Sequence, residues 1–188
     1  MAQLPQLFEA ERVALRAFEP EDLPALHAYL NRPELANRRY LPGGFPDAAP
    51  LSRKQVEGII ARWTEERKGL HLAVVLTASQ VLVGHVDCEW GWDPYSPFVS
   101  VLIAPDHQRQ GYASEALKII LRYLYENTPA HNISGAFADW NTPYREFARR
   151  RGFSESGRWR RSGFHQGQYY DTILVDILRP EWLKRKGG

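Results

Sequence analysis

The sequence predicts a mixed α/β protein, with a mostly antiparallel sheet of about seven strands flanked by helices. Three observations predict this. Short strand-like apolar runs, the first of them alternating with period two, are interspersed with longer runs at helical spacing. Several strand-like runs follow one another directly, as hairpins rather than as a regular strand–helix–strand array. Near the middle of the chain, one apolar strand leads through a glycine turn into a long amphipathic helix.

The elements follow in order. Arg12 to Phe18 alternates, with Val13, Leu15 and Ala17 on one face, which is the pattern of a half-buried strand. Pro20-Glu21-Asp22 opens a helix with proline and acids in its first turn, and Leu23, Leu26, Tyr29 and Leu30 form its apolar face. Asn31 to Pro50 reads as a long loop rich in Pro and Gly. Ser52 to Gln55 has the spacing of a capping box, followed by Val56, Ile59, Ile60 and Trp63 at helical spacing. His71 to Thr77 and Val81 to Glu89 read as a hairpin around Ala78-Ser79-Gln80. Trp90 to Pro97 connects to a strand over Phe98 to Ala104.

Tyr112 to Tyr125 reads as a helix with Ala116, Ile119, Ile120 and Tyr123 on one side. Asn132 to Asp139 is strand-like. Thr142-Pro143 opens a helix that stops at Gly152, a glycine suited to a left-handed helix end. Phe153 to Arg161 and Tyr169 to Leu178 read as two strands joined by a turn near Gly163 to Gly167. The chain contains no repeat or linker, so one domain over 1–188, with its core at about 12–182, is the economical reading.

Composition narrows the function classes. The chain has 188 residues, 44% hydrophobic and 24% charged, with a net charge of +2. That is ordinary for a soluble globular protein and argues for neither nucleic acid nor membrane as a partner. A lone cysteine, Cys88, permits no internal disulfide and sits in an apolar run, which suits an inert buried thiol in a reducing compartment. The six histidines show no metal-ligand spacing, and no metal is expected. The N-terminus lacks signal-peptide features and no apolar run is long enough to span a bilayer, so a cytoplasmic location is expected.

The stretch from Gln108 through Arg109, Gln110, Gly111, Tyr112 and Ala113 to Ser114 is where the sequence carries chemistry. A strand, a glycine turn and a helix start make a place to hold phosphate. The first helical N–H groups have no internal partner, and the helix dipole adds partial positive charge. Gly111 permits close backbone approach, and Ala113 keeps the wall small. The alternative is a plain helix start packed on a sheet. The three-glycine dinucleotide fingerprint and the phosphate-loop Gly-Lys-[Ser/Thr] are both absent.

Gln108-x-x-Gly111-x-Ala113 resembles the [Gln/Arg]-x-x-Gly-x-[Gly/Ala] pyrophosphate signature of the GNAT acyltransferases, which bind acyl-coenzyme A. The predicted order of elements is also that of the GNAT fold. Further segments resemble the branch that includes ribosomal-protein N-terminal acetyltransferases. Gly111 to Ala116 is close to its Gly-Tyr-Ala-Thr-Glu-Ala. Asn141, then Gly152-Phe153, is similar to its Asn-x-x-Ser…Gly-Phe segment. Gly167-x-x-x-Asp171, ending in Arg179-Pro180-Glu181-Trp182, is similar to its closing strand. The likeness runs from about Val13 to Trp182 and is dense from Val81 onward.

The resemblance implies a fold whose sheet contains a splayed strand pair, with acetyl-coenzyme A as cosubstrate and a primary amine as acceptor, either a peptide N-terminus or a small molecule. It implies that the backbone of Val101, Leu102 and Ile103 meets the pantetheine arm, in a gap before the Asn132 to Asp139 strand. One N–H on that edge would stabilise the oxyanion. The N–H groups of Arg109 to Ser114 would hold the pyrophosphate and Asn141 would hydrogen-bond the arm. A homodimer is a family-level expectation.

An alkyl amine has a pKa near ~10, so a base or water chain must deprotonate it, and the departing thiolate benefits from an acid. Here the sequence departs from the family. Tyr144 stands where the ribosomal-protein branch has serine. A related branch's tyrosine and glutamate are here Ala148 and Ala136. Tyr144 is the candidate acid by position, and an aromatic packed on the sheet is its other reading. Glu89 is the candidate base, and Asp87 and His85 share its face by alternation, although polar residues so placed usually form a solvated strand face. His165 is a further candidate. The loops Asn31 to Pro50, Trp90 to Pro97 and Gly163 to Gln168 would line the acceptor side, with Trp90, Trp92, Tyr95 and Phe98 as an aromatic wall.

Two other functions fit the sequence. The missing glutamate and tyrosine leave room for a non-catalytic acyl-coenzyme A binder. The arginines at 145, 149, 150, 151, 158, 160 and 161, with Trp159 and Tyr169 for stacking, could bind nucleic acid.

Overall fold

Alternation at the start of the chain produces β1 (Val13–Arg16) in a structure, a computed structural model, that describes residues 5–35, 49–65, 69–91 and 93–186. Residues 36–48 of the long loop, and Trp92, lie outside the described residues. After β1 the chain makes a 3-10 turn at Pro20–Asp22. Asp22 there is buried and accepts the Arg16 fork at 2.7 and 2.8 Å and the Glu19 N–H at 2.9 Å. The helix proper, α1, runs over Leu23–Leu30. The Ser52 capping box forms as its spacing predicts, with Ser52 N–H on Gln55 Oε1 at 2.8 Å and Gln55 N–H on Ser52 Oγ at 3.3 Å. It opens α2 (Arg53–Glu65).

The remaining elements are β2 (Gly69–Leu76), β3 (Leu82–Glu89), β4 (Phe98–Ile103), α3 (Tyr112–Asn127), β5 (Asn132–Ala138), α4 (Thr142–Arg151), β6 (Ser154–His165), β7 (Gln168–Leu178) and α5 (Arg179–Lys186). The expected mixed α/β architecture holds, with a seven-stranded sheet in the order β1-β2-β3-β4-β5-β7-β6. Every neighbouring pair is antiparallel except β4 and β5.

Two helical layers clamp the first half of the sheet. On one face α3 presents Ile120 and Leu124 to Val13, Val74, Val86 and Val99. On the other, α1 and α2 present Leu26, Val56 and Trp63 to Ala73, Val75 and Leu102. Burying each large side chain contributes about 1.5–3 kcal/mol. Gly84 lets β3 and β4 lie close, because a Cβ there would stand 2.2 Å from the Leu102 carbonyl oxygen.

Three expectations need correction. Arg179-Pro180-Glu181-Trp182 does not close the last strand but begins α5, with Glu181 accepting the Leu178 N–H at 2.9 Å. Proline is at home in a first helical turn, where no N–H partner is needed. The β6 strand runs four residues past Arg161, to His165. Its turn is tight, because Gln166 and Gly167 have φ of 50° and 81°, the geometry that two-residue hairpins favour. Finally, the buried face of α3 is broader than expected: Leu117, Leu121, Leu124 and Tyr125 join Ala116, Ile119 and Ile120, while Tyr123, half-buried, packs against the same core and on Phe8 at 5.0 Å.

Candidate active site

The parallel pair β4–β5 touches at one register position, Phe98 with Ser134. Ser134 N–H reaches Pro97 O at 3.0 Å. Beyond that contact the strands separate and leave a fork that opens toward their C-terminal ends. Carbonyls alternate along a strand, and two contacts fix their phase. The Val99 oxygen lies toward β5, 3.4 Å from the Cβ position of Gly135, while the Leu102 oxygen lies toward β3 beside Gly84. Alternation therefore turns the backbone of Val101, and the N–H of Ile103, into the fork. Gln108 Nε2 donates to the Ile103 carbonyl at 2.8 Å, closing that end of the edge. Leu102 instead turns its backbone to β3 and its side chain into the α1–α2 core.

The glycine turn lies directly after β4. A 3-10 turn at Pro105–His107 leads to Gln108, and Arg109 follows at φ 61°. Gly111 is the N-cap of α3, at φ 90°. Ser114 N–H closes back on Gly111 O at 2.9 Å, and Glu115 N–H reaches the same oxygen at 3.2 Å, so the first helical turn uses both. The N–H groups of Gly111, Tyr112 and Ala113 have no acceptor among the described residues. Ser114 thus differs from the cradle the resemblance implies, because its own N–H is already used. The unclaimed N–H groups at a helix start suit an anion, and the open edge of β4 suits an extended amide-bearing arm.

Asn141 is the N-cap of α4, and its side chain makes no capping hydrogen bond. Its N–H donates to Ala138 O at 2.8 Å, which ties the start of α4 to the end of β5, at the open side of the fork. One turn on, the half-buried Tyr144 packs on Phe137 at 5.1 Å. Its hydroxyl lies 3.7 Å from the Cβ position of Gly135, so the phenol reaches the fork.

Glu89 is exposed, at the end of β3 opposite Phe98, which is the closed end of the fork. It stands about 10 Å along the strands from Val101, at roughly 3.3 Å per residue. Asp87 and His85 lie nearer the open end, but the solvated face expected for them is instead buried by α1 and α2. His71 on β2 and His85 converge on Asp87. The His71 Nδ1–H donates to Oδ1 at 2.8 Å, since a carboxylate only accepts. His85 Nε2 approaches Oδ2 at 3.3 Å without hydrogen-bond alignment. Tyr29 closes the chain on His85 Nδ1 at 2.7 Å, and Trp63 stacks on His71 at 5.5 Å.

Burial pushes the Asp87 carboxyl up, but His85 and the hydrogen bond from His71 more than reverse this and hold it below its usual value. Burial raises the Tyr29 phenol well above its usual value, with Asp87 adding to the shift. Two polar residues on one strand face were legible in the sequence, whereas their cover by α1 and α2 was not.

Other sequence candidates are placed as follows. His165 stacks on Trp140 at 4.5 Å, with Tyr170 edge-on to the same indole, in the part of the β6–β7 hairpin that runs beyond the C-terminal end of β5. The Tyr95 carbonyl accepts from His131 N–H at 2.7 Å and Asn132 N–H at 3.2 Å, so the Trp90 to Pro97 connection is fixed to the closed end. Trp90 packs against the α3 core, and Tyr95 is exposed. The arginine cluster is partly neutralised, since Arg145 pairs with Glu155, Arg149 with Glu146 and Arg158 with Asp171. Arg161 N–H, ahead of Arg158, holds the Asp171 carboxyl below its usual value.

Among the described residues, no group of histidines, cysteines or acids could hold a metal ion, and no helix is long and apolar enough to cross a membrane. A residue that sequence reasoning passed over is Arg12, whose guanidinium reaches the start of α3.

Comparison with known proteins agrees with this geometry. A family model described as Acetyltransferase (GNAT) domain matches residues 12–154. An uncharacterised N-acetyltransferase of Bacillus subtilis, YnaD, is 22% identical over 172 residues, covering 92% of this chain and 96% of that protein. A spermidine N(1)-acetyltransferase of Vibrio cholerae is 26% identical over 175 residues, covering 93% and 97%. Among solved structures, a GNAT-family acetyltransferase from Bacillus anthracis superposes with a TM-score of 0.78 at 22% identity, covering 92% of this chain and 98% of that one. A Vibrio cholerae spermidine N-acetyltransferase in complex with CoA and spermine gives 0.77 at 24%, covering 91% and 98%. At these identities the two superpositions show the fold.

Proposed function

Because the chain belongs to the GNAT acetyltransferase family and is an acetyl-coenzyme A-dependent N-acetyltransferase, we propose that it acetylates a primary amine, on a peptide N-terminus or a small molecule, by direct attack in the β4–β5 fork. The observation that carries the reading is the single register pair between β4 and β5, beyond which the two strands part beside the start of α3. The coenzyme, when bound, supplies an activated acetyl thioester.

The chain's own residues would do the rest. The N–H groups of Gly111, Tyr112 and Ala113 would hold the diphosphate at the positive end of α3. The edge groups of Val101 would hydrogen-bond the pantetheine arm, and the Val101 N–H would polarise the thioester carbonyl. The Asn141 side chain, unused as a cap, is available to an amide of the arm. Tyr144 would give a proton to the departing sulfur. Holding both reactants in one fork supplies rate by positioning, with no covalent enzyme intermediate.

Two observations bear on the acceptor. The likeness of Gly111 to Ala116 to the ribosomal-protein branch supports a peptide N-terminus. The likeness to spermidine acetyltransferases supports a polyamine. Coenzyme release measured with acetyl-coenzyme A and a panel of short peptides, spermidine and spermine separates them. Release with one class names the acceptor, whereas coenzyme binding without release from any of them would place the acceptor outside both classes.

A further inference from the structure

We propose that Arg12 is a phosphate-binding residue of the coenzyme site, delivered by the start of β1 to the first turn of α3 and oriented there by Glu115. The proposal rests on the reading that the coenzyme diphosphate sits at this helix start. Arg12 lies just before β1, yet its backbone N–H donates to Glu115 Oε2 at 3.0 Å and its Nε to Oε1 at 2.6 Å. Nη2 pairs with the same Oε1, and Nη1 donates to the Gln110 carbonyl at 2.9 Å. The guanidinium also lies 5.3 Å from the Tyr112 ring centroid.

These contacts fix the fork in one orientation and leave an N–H on each of Nη1 and Nη2. Nη2 stands 2.8 Å from the Cβ position of Gly111, so its spare donor lies over the N-cap glycine. The side chain remains about half exposed, at 48%. A ligand can reach it.

Charge explains why such a residue belongs here. Glu115 sits in the first turn of α3, where a carboxylate suits the helix dipole but repels a bound diphosphate. Arg12 neutralises it, and a guanidinium can meet carboxylate and phosphate together through its planar fork. A lysine has one charged nitrogen and cannot hold both in the same geometry.

The test is calorimetry of the full chain with coenzyme A and, separately, with S-acetylpantetheine, which lacks every phosphate. Charge-assisted hydrogen bonds lead us to expect Arg12→Ala to weaken coenzyme A binding by about 10- to 100-fold. Affinity for S-acetylpantetheine should stay unchanged. Arg12→Lys should fall between, and Glu115→Gln added to Arg12→Ala should recover part of the loss by removing the uncovered carboxylate. Equal coenzyme A affinity in the intact protein and Arg12→Ala would overturn the proposal. So would an equal loss for both ligands, which would mean that Arg12 only shapes the fold. If the intact protein bound no coenzyme A, the coenzyme-site reading itself would fall, and the role of Arg12 with it.

Discussion

The Tyr144 hydroxyl lies 3.7 Å from the Cβ position of Gly135, so a side chain of α4 reaches the strand that forms one wall of the fork. Gly135 also lies against the Val99 carbonyl on the other wall. The phenol therefore stands where β4 and β5 begin to part, beside the edge that would hold a thioester.

Tyr144→Phe should lower kcat by about 10- to 100-fold, near the low end of general-acid effects because a thiolate already leaves well. Coenzyme affinity should not change, since the ring and its packing on Phe137 are kept. Steady-state kinetics beside calorimetry reads both quantities. An unchanged kcat would reduce Tyr144 to a packing residue.

Asp87→Asn should cost about 2–3 kcal/mol of stability, because it removes the charge that accepts the His71 hydrogen bond and faces the buried His85. The carboxyl is held below its usual value in the folded protein, so its stabilisation is complete above the unfolded value of about 3.9 and is lost as pH falls through the lower folded value. Asp22, which burial raises but Arg16 and the Glu19 N–H lower further, acts with the same sign. Thermal melts should fall steeply below about pH 4 in the intact protein and less steeply in Asp87→Asn. Parallel pH dependence in the two would show that the network stores no such energy.

Cys88 should resist alkylation in the native state. Burial pushes its thiol well above the usual value, with Asp87 and Glu89 adding to the shift, and the side chain is fully buried. Iodoacetamide labelling followed by mass spectrometry should show modification only after denaturant is added. Rapid native labelling would mean that the sheet opens locally around β3.

Gly84→Ala should be severely destabilising, by about 3 kcal/mol or more, because its methyl would overlap the Leu102 carbonyl at 2.2 Å. Backbone stands in the way, so β4 must move. Urea unfolding measures the loss, and a neutral result would show that the β3–β4 spacing is not tight.

How much of this was legible in the sequence depends on distance along the chain. Gln108 to Ala113 announced both its turn and its helix start, because a glycine requirement is local, and the φ of 90° at Gly111 bears that out. Short apolar runs bounded by turn residues announced the seven strands, although strict alternation marks only the first. Arg12 gave no signal, since its partner Glu115 lies 103 residues away and an arginine on an outward strand face is ordinary. His85 and Asp87 shared a face as alternation required, but their burial depends on how α1 and α2 pack, and His71 joins them only through the β2–β3 register. The α5 helix was hidden because Arg179-Pro180 reads equally well as the end of a strand.

The central claim is that the coenzyme diphosphate is held at the start of α3. Gly111→Asp tests it most directly. Aspartate is among the few side chains that tolerate a left-handed backbone, so α3 should persist, while its carboxylate would occupy the anion position and Arg12 would have to shift. Calorimetric titration with acetyl-coenzyme A should show binding by the intact protein at about 1 μM to 1 mM, the usual range for enzyme substrates, and none by the variant at the same melting temperature. Absence of binding by the intact protein, or equal binding by both, would contradict the account.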